Sequence, residues 1–329
     1  MFFVTFLSCK VYAQDIHFSQ FWAIPSYFNP GNTGLFDGDY RVYGNYRDQW
    51  GSVSVPYRTV GLSFDANNLI KKWGLSPGFS IYNDRAGDGV LNTLVLNTSL
   101  SKKWGLNASD FVSTGIEIGA TQRSINFNKL SFDNQFDGIG YNPTLASNES
   151  FGNNNFFNFN ANIGAIYFKK INEKIDLSTG LSISNINTSK QKYLGMADVK
   201  LDRRLNFSIE PTIVYNEKIS FKPGFLYLQQ GRFNQFVIGS SVVYKFMDFP
   251  GKRQNIWLGA YTRMGDAFFM NVGLEHNSLL FMMSYDVNYS KLREASNGRG
   301  GIEFSVRYIF RKLNIGGNKI KEKFCPVFI

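Results

Sequence analysis

The residues that could carry catalysis or bind a metal ion are few and far apart. His17 and His276 are the only histidines, so the sequence offers neither a histidine cluster for a metal nor a Ser-His-Asp arrangement. A lone histidine beside a turn, such as His276, is typical of a structural role. No glycine-rich phosphate cradle follows a strand and opens a helix. We therefore predict no catalytic residue, no metal site and no cofactor.

One acidic stretch, Asp133 to Gly138, resembles the start of a calcium-binding loop. An EF-hand needs a bidentate glutamate at its twelfth position, and this chain has Thr144 there. The stretch is therefore not an EF-hand. A weak calcium site in a long outer loop stays open as an alternative.

Charged residues of both signs recur at alternate positions of extended segments. Such residues can form ion pairs when they face a shared interior. Glu275 and Glu303 could in principle do acid–base chemistry, but ion pairing with neighbouring arginines is the simpler explanation, so we expect a non-enzymatic protein. The predicted interior charge network comprises Arg41, Arg47, Glu117, Arg123, Glu303 and Arg307.

The segments that hold these charges alternate strictly between apolar and polar residues. In 156–168 the odd positions from Phe157 to Tyr167 are apolar, whereas the even positions carry Asn158, Asn160 and Asn162. A period of two indicates a strand whose side chains point to opposite faces of a sheet. The pattern predicts about fourteen strands, at 39–50, 57–66, 76–83, 91–101, 111–123, 156–168, 175–185, 204–215, 219–228, 233–245, 255–263, 267–275, 278–288 and 301–310.

The composition distinguishes between the two classes of membrane protein, those that span with helices and those that span as a β-barrel. Aromatic residues make up 16% of the chain and charged residues 18%, while the mean hydropathy is slightly negative. This is too polar for a helical membrane protein, and after the first dozen residues no apolar run reaches the roughly 18 residues of a transmembrane helix. A barrel stays compatible, because each of its strands needs only about ten alternating residues.

The connectors between the predicted strands distinguish a barrel from a soluble β-sandwich, whose strands also alternate. Numbered from the first strand, the odd connectors include the longest, 124–155, 186–203 and 289–300, while the even ones are short or modest. Outer-membrane barrels have short periplasmic turns and longer outer loops. We therefore predict an all-β, antiparallel transmembrane barrel of about fourteen strands with both of its ends at the periplasm.

The formal charge of +10 raises the question of nucleic-acid binding. The basic residues do not gather into one stripe, as a phosphate-tracking surface requires, so we predict no nucleic-acid partner. Many of them are assigned instead to short connectors, namely Lys71 with Lys72, Lys102 with Lys103, Lys169 with Lys170, and Lys252 with Arg253.

Four regions are predicted along the chain. Residues 1–13 have the apolar stretch of a signal peptide cut after Ala13, and lipidation at Cys9 is the alternative. Residues 14–38, rich in aromatic residues and proline, are predicted to form an irregular, plug-like segment in the lumen or against the periplasmic mouth. The barrel follows at 39–310, and 311–329 form a basic periplasmic tail. Removal of the signal leaves Cys325 alone, so no internal disulfide is expected.

A family resemblance covers essentially the whole mature chain. It is strongest in the run QDIHFSQF, which begins at Gln14, although Ile16 replaces a common proline. The sequence resembles the PorP/SprF family of membrane proteins. The other matching residues are Asn29-Pro30, Thr33-Gly34, Tyr40-Arg41, Tyr46 to Trp50, Ser63 with Asp65, Gly259 to Arg263, Ser284 to Asp286, and Cys325 to Phe328.

This resemblance implies an outer-membrane barrel of the type IX secretion system in a Gram-negative bacterium. The system exports and anchors surface proteins that carry a C-terminal sorting domain, and in some relatives it supports gliding motility through adhesins. The implied partners are outer-membrane lipid, periplasmic lipoprotein and ring components of the secretion machine, and a secreted surface protein or adhesin.

We predict a non-enzymatic scaffold whose periplasmic face docks machine components and whose outer loops hold or hand over a secreted protein. Lumen filling and ordinary turn solubility would explain the candidate contact residues equally well. A passive porin or a transporter of small hydrophobic molecules is the main alternative, and an enzyme and a soluble all-β binding module are two others. The candidate contacts are Phe18, Phe21, Trp22, Lys71, Lys72, Lys102, Lys103 and Cys325.

Overall fold

A closed antiparallel barrel forms the body of the molecule. The computed structural model describes residues 16–51, 55–87, 91–127, 130–148, 155–191, 199–249 and 252–311. Fourteen strands follow one another around the barrel, and the last of them pairs with the first. The prediction of a barrel of about fourteen antiparallel strands is confirmed. The predicted signal peptide, Cys325 and the tail after Arg311 lie outside the described residues.

Sixteen strands are numbered in chain order, because one connector contains a two-stranded hairpin, β8 with β9, that is separate from the barrel. The strands are β1 (Tyr40–Gln49), β2 (Tyr57–Ala66), β3 (Leu75–Ala86), β4 (Leu91–Gly105), β5 (Asp110–Ser124), β6 (Asn155–Lys170), β7 (Ile175–Ser184), β8 (Lys190–Gln191), β9 (Val199–Lys200), β10 (Arg204–Val214), β11 (Ile219–Gln230), β12 (Phe233–Phe249), β13 (Lys252–Arg263), β14 (Ala267–His276), β15 (Leu279–Asn288) and β16 (Arg299–Phe310).

The apolar face of the sheet points outward and the polar face points into the lumen. In β5, Ser113 and Glu117 are buried, whereas Ile116 and Ile118 are 53% and 63% exposed. This arrangement suits a sheet surrounded by hydrocarbon. Closure of β1 on β16, through an unbroken register from Tyr40–Phe310 to Gln49–Gly301, leaves no edge whose backbone groups would lack partners in lipid.

The two rims of the barrel differ. The terminal rim holds the start of β1, the end of β16 and short connectors such as 106–109, 171–174 and 277–278, whereas the loop rim holds the long connectors 125–154, 185–203 and 289–298. The third of these long connectors contains the helix α2 (Leu292–Ser296). By the usual relation of loop length to side, we expect the terminal rim to face the periplasm and the loop rim to face outward.

Several strands are longer at the terminal rim than the alternation predicts. Three of the lysine-containing pairs assigned to connectors lie within strands, so their assignment is wrong. These are Lys102 with Lys103 in β4, Lys169 with Lys170 in β6, and Lys252 with Arg253 in β13. Long lysine stems can lie along apolar surface while the ammonium reaches water, so lysine need not end a strand at the membrane boundary. Among the described residues, no helix has the length and apolar character of a membrane span.

Candidate functional site

Residues 16–38, called the N-terminal segment, lie inside the barrel. Every residue from Phe18 to Phe36 is buried except Tyr27, which is half-buried. The segment makes three short helical turns, at Phe21–Ala23, Pro25–Phe28 (α1) and Pro30–Asn32. Proline opens the second and third turns, a position at which its missing N–H needs no partner. The frequent prolines therefore give a compact, irregular path instead of a helix or a strand.

The start of the segment is held near the loop rim by two acidic residues. The backbone N–H of Ser19 donates to Glu303 over 2.7 Å, and the Ser19 hydroxyl donates to Asp286 over 2.7 Å. The Gln20 side chain donates to the backbone carbonyl of Glu303 over 3.0 Å and accepts from Ser305 over 2.6 Å. The segment is thus bonded to both β15 and β16.

Two buried arginines neutralise these acids. Arg47 lies 2.8 Å from Glu303 and 3.0 Å from Asp286, and Arg263 lies 3.4 Å from Asp286 and 2.8 Å from Asp266. We call Ser19, Gln20, Arg47, Arg263, Asp286 and Glu303 the outer anchor. Each buried acid of this group is bound by an arginine and also by the segment, which offsets the cost of removing its charge from water.

The end of the segment is held near the terminal rim by one ion pair. Arg41 and Asp65 approach to 2.6 Å, and both residues are buried. Arg41 also donates to the carbonyls of Asn32 and Leu35, over 3.1 Å each, and Asp65 accepts from the N–H of Gly34 over 2.6 Å. We call Arg41, Asp65 and residues 32–35 the rim anchor.

Glycines in the wall allow the middle of the segment to approach the strands closely. A β-carbon at Gly115 would lie 2.2 Å from the carbonyl oxygen of Pro30, and one at Gly164 would lie 2.1 Å from the Asn29 side-chain oxygen. The Asn29 amide donates to the carbonyl of Ala165 over 2.9 Å. These distances leave no room for any larger residue at either glycine.

The three aromatic residues predicted as partner contacts are packed inside the barrel. Phe18, Phe21 and Trp22 are 2–4% exposed. Trp22 stacks on Tyr261 of β13 with ring centroids 4.3 Å apart. In this arrangement the three side chains contact the barrel and offer no surface to a partner.

Two cavities lie on opposite sides of the segment. The outer cavity, of about 300 Å³, is near the loop rim and is lined mainly by polar residues such as Asn97, Asn158 and Arg123. The inner cavity, of about 200 Å³, is near the terminal rim and contacts Phe21 and Trp22. The segment separates the two cavities. The outer one is rich in amides, and the wall of the inner one combines aromatic rings with the ionisable side chains of Asp176, Glu210, Lys222, Lys245, Arg253 and Glu275.

The remaining members of the predicted charge network also face the lumen. Glu117 accepts a hydrogen bond from Asn162 over 2.7 Å, and Arg123 lines the outer cavity. Arg307 lies 3.8 Å from Glu275. Glu275 and Glu303 therefore belong to separate ion-pair groups, and the structure does not bring them together as an acid–base pair.

The predicted lysine contacts lie at the terminal rim, with Lys102 on the outward face of β4 and Lys103 on its lumen face. Lys71 and Lys72 are exposed in the turn between β2 and β3. Lys102 and Lys103 lie over the rings of Trp104 and Phe111, at 4.2 and 3.9 Å from the ring centroids. Such cation–π contacts fix the two ammonium groups at the rim.

The histidine of the segment is enclosed by positive charge. His17 contacts the Gln235 side chain over 3.1 Å. Burial, and then the charges of Arg263, Arg47 and Arg204, lower the pKa of His17 well below its usual range. Within the described parts of the chain, no three His, Cys, Asp or Glu residues come together in a way that could hold a metal ion.

Sequence reasoning missed several residues of this site. Arg263, Ser19 and Asn29 were not named as members of the charge network, because an uncharged side chain or a strand-end arginine gives no signal of its partner in a single sequence. Their partners are far away in the chain, as in the contact of Ser19 with Asp286. The FSQF run at residues 18–21, which carries part of the family resemblance, contains Ser19 and Gln20 of the outer anchor.

Comparison with protein families gives one decisive match. The model described as "Type IX secretion system membrane protein PorP/SprF" matches residues 10–308. The chain belongs to the PorP/SprF family. The suspected resemblance is therefore confirmed, and membership implies association with the membrane and with components of that secretion system. The comparison with curated proteins finds no match.

Solved outer-membrane barrels share the fold of this PorP/SprF protein. The toluene transporter TbuX of Ralstonia pickettii is 10% identical with a TM-score of 0.53, and the match covers 86% of this chain and 92% of TbuX. The toluene transporter TodX of Pseudomonas putida is 10% identical with a TM-score of 0.50, covering 85% and 91%. At this identity the likeness shows the fold alone. Family and fold together place the protein in the outer membrane of a Gram-negative bacterium.

Proposed function

We propose that this protein is a non-enzymatic docking scaffold of the type IX secretion system. Its terminal rim binds periplasmic lipoprotein or ring components, and its loop rim holds or hands over a secreted surface protein or adhesin, with gliding motility as a further outcome in a motile host. The observation that carries the proposal is the family match over residues 10–308.

The charge of the terminal rim supports the docking half of the proposal. Exposed lysines stand on several strands and turns around this rim, namely Lys71, Lys72, Lys103, Lys169, Lys174, Lys218 and Lys252. A ring of positive charge at the periplasmic face would speed the association of an acidic partner. The basic tail predicted at 311–329 would extend the same surface.

The N-terminal segment supports a scaffold role for the barrel. It is anchored at both ends and separates the two cavities, and we propose that it acts as a plug. A plugged barrel keeps its rims in fixed positions while passing no solute, which suits a docking element better than an open pore.

Affinity purification from outer membranes, followed by identification of the co-eluting proteins, tests the proposal. We expect recovery of a periplasmic machine component with the native chain, and a loss of about tenfold in the K71E/K72E variant, equivalent to about 1.4 kcal/mol of binding. The matched control is K200E/K291E, which reverses two exposed lysines at the loop rim and should leave recovery unchanged. Recovery of neither a periplasmic component nor a surface protein with the native chain would contradict the proposal.

Passage of small molecules is the second candidate function, and the two lumen cavities favour it. Conductance in planar bilayers distinguishes the two. The scaffold proposal expects no steady current from the full chain, and a current only after the N-terminal segment is deleted. A steady current from the full chain would favour a porin or transporter.

A further inference from the structure

The charged residues around the inner cavity are sorted by side. Two acids that line it, Asp176 and Glu210, lie on β7 and β10, whereas its three bases, Lys222, Lys245 and Arg253, lie on β11, β12 and β13. In the wall of the barrel β7 is the neighbour of β10, and β11, β12 and β13 follow in that order. One side of the cavity is therefore acidic and the other is basic.

A third acid of the cavity, Glu275 of β14, lies beyond the basic side, and arginines balance its charge. Arg253 lies 3.7 Å from Glu275 and Arg307 lies 3.8 Å from it. Two arginines thus share this one carboxylate. Glu275 therefore does not cancel the positive charge of Lys222 and Lys245, and the side formed by β11, β12 and β13 stays basic overall.

The two acids of the opposite side have no basic partner. Within the described part of the chain, neither Asp176 nor Glu210 forms an ion pair, although both are half-buried. The register places Thr212 of β10 between Asp176 of β7 and Lys222 of β11, so the backbones of these two charged residues are about 10 Å apart. The Lys222 ammonium extends the other way, to a point 5.4 Å from the ring centroid of Trp257 on β13. The two signs of charge are therefore held apart across the cavity.

Hydrogen-bond donors on the basic side also lack partners. The Ser220 hydroxyl and the Trp257 indole N–H are buried and have no acceptor among the described residues, and both residues line the inner cavity. A buried donor without an acceptor destabilises the folded protein. A carboxylate on this side would accept from such donors and would also neutralise the nearby lysines.

Aromatic rings supply an apolar surface between the two charged sides. Phe21 and Trp22 of the N-terminal segment line the cavity together with Tyr261 of β13, and the stacking of Trp22 on Tyr261 fixes these rings in place. The volume of about 200 Å³ is below the roughly 300–1,000 Å³ of pockets for drug-sized ligands. The cavity therefore suits a small ligand that has an apolar body and one charge of each sign.

We propose that the inner cavity binds a free α-amino acid with an aromatic or large aliphatic side chain. The ammonium group of the ligand faces Asp176 and Glu210, its carboxylate faces Lys222, and its side chain packs on the aromatic rings. The ligand enters at the terminal rim, where the side chain of Arg253, the second residue of β13, is 27% exposed. The site does not depend on a role in secretion, because it follows from the lining of the cavity alone.

Titration calorimetry on the full chain in detergent micelles tests the site with three ligands that share one aromatic ring. Phenylalanine carries both charges, hydrocinnamate carries only the carboxylate, and phenethylamine carries only the ammonium group. We expect phenylalanine to bind about tenfold more tightly than either analogue, because it alone meets both charged sides of the cavity. Absence of phenylalanine binding, or equal affinities for the three ligands, would overturn the proposal.

Two substitutions should affect these ligands in opposite ways. E210Q should weaken the binding of phenylalanine and phenethylamine about tenfold and should not weaken that of hydrocinnamate. K222M should weaken the binding of phenylalanine and hydrocinnamate by a similar factor and should not weaken that of phenethylamine. The matched controls are E117Q and R123M, which change an acid and a base of the outer cavity and should alter no affinity.

The heat-dependent gel mobility of folded barrels checks that each variant has folded. If E210Q or K222M does not fold, the three ligands on the native chain still decide between the outcomes. Loss of affinity that is equal for all three ligands in both folded variants would show that the cavity does not read the two charges separately, and it would overturn the proposal.

Discussion

The two anchors of the N-terminal segment hold it by different arrangements of charge. At the outer anchor, Arg47 and Arg263 share Asp286, Arg47 also binds Glu303, and Arg263 also binds Asp266. At the rim anchor, Arg41 pairs with Asp65. The outer anchor is a network in which arginines and acids are shared, and the rim anchor is centred on this pair.

This difference predicts different tolerance of substitution. In a network, loss of one acid leaves each arginine with another carboxylate, whereas in a single pair it leaves a buried cation without its countercharge. The two anchors should also differ in how their stability depends on pH, because His17, whose pKa is lowered, lies beside the outer anchor. Measurements of stability in three variants test this difference.

The largest loss of stability is expected from a substitution in the rim anchor. D65N should lower the free energy of unfolding by about 3–5 kcal/mol, because Arg41 stays buried and loses the carboxylate at 2.6 Å. Urea titration in detergent micelles measures the change. The double variant R41M/D65L removes both charges and should cost much less. An equal loss for D65N and D286N would show that the two anchors do not differ.

The second expected effect is a dependence of the free energy of unfolding on pH, which arises at the outer anchor. The folded state lowers the pKa of His17, so below pH about 6.5 the unfolded chain binds a proton that the folded chain does not. Stability should therefore fall with decreasing pH, by about 1.4 kcal/mol per unit, until the folded pKa is reached. Unfolding of the native chain and of H17Q between pH 7.5 and 5 measures it, and parallel curves would exclude a role for His17.

The smallest effect is expected for D286N. Arg47 keeps Glu303 at 2.8 Å and Arg263 keeps Asp266 at 2.8 Å, so the loss should be about 1.5–3 kcal/mol, the range of hydrogen bonds to charged groups. The same urea titration applies. A loss as large as that of D65N would mean that the outer anchor acts as one indivisible unit.

The sequence predicted the strands well because a barrel in lipid imposes a period of two on every one of them. The opening of β6 shows this, since Phe157 and Phe159 are exposed and Asn158 is buried, as the alternation requires. Strand ends at the terminal rim were less predictable. Lys102 and Lys103 looked like a turn, but they continue β4, because a lysine stem tolerates the membrane boundary.

The interior could be predicted in its chemistry but not in its contacts. Mixed charges on the inner face indicated ion pairs, yet the pairing of Arg47 with Asp286 depends on the register of strands at opposite ends of the sequence.

The bond from the Ser19 N–H to Glu303 joins residues that are 284 positions apart. Glu303, the acid that binds the start of the N-terminal segment, therefore lies in the last strand of the barrel. Until β16 arrives, Arg47 has no Glu303 and Ser19 has no acceptor, so the early strands cannot complete their interior. Such distant contacts slow folding. The bonds that hold the start of the segment are therefore complete only when the final strand closes the barrel.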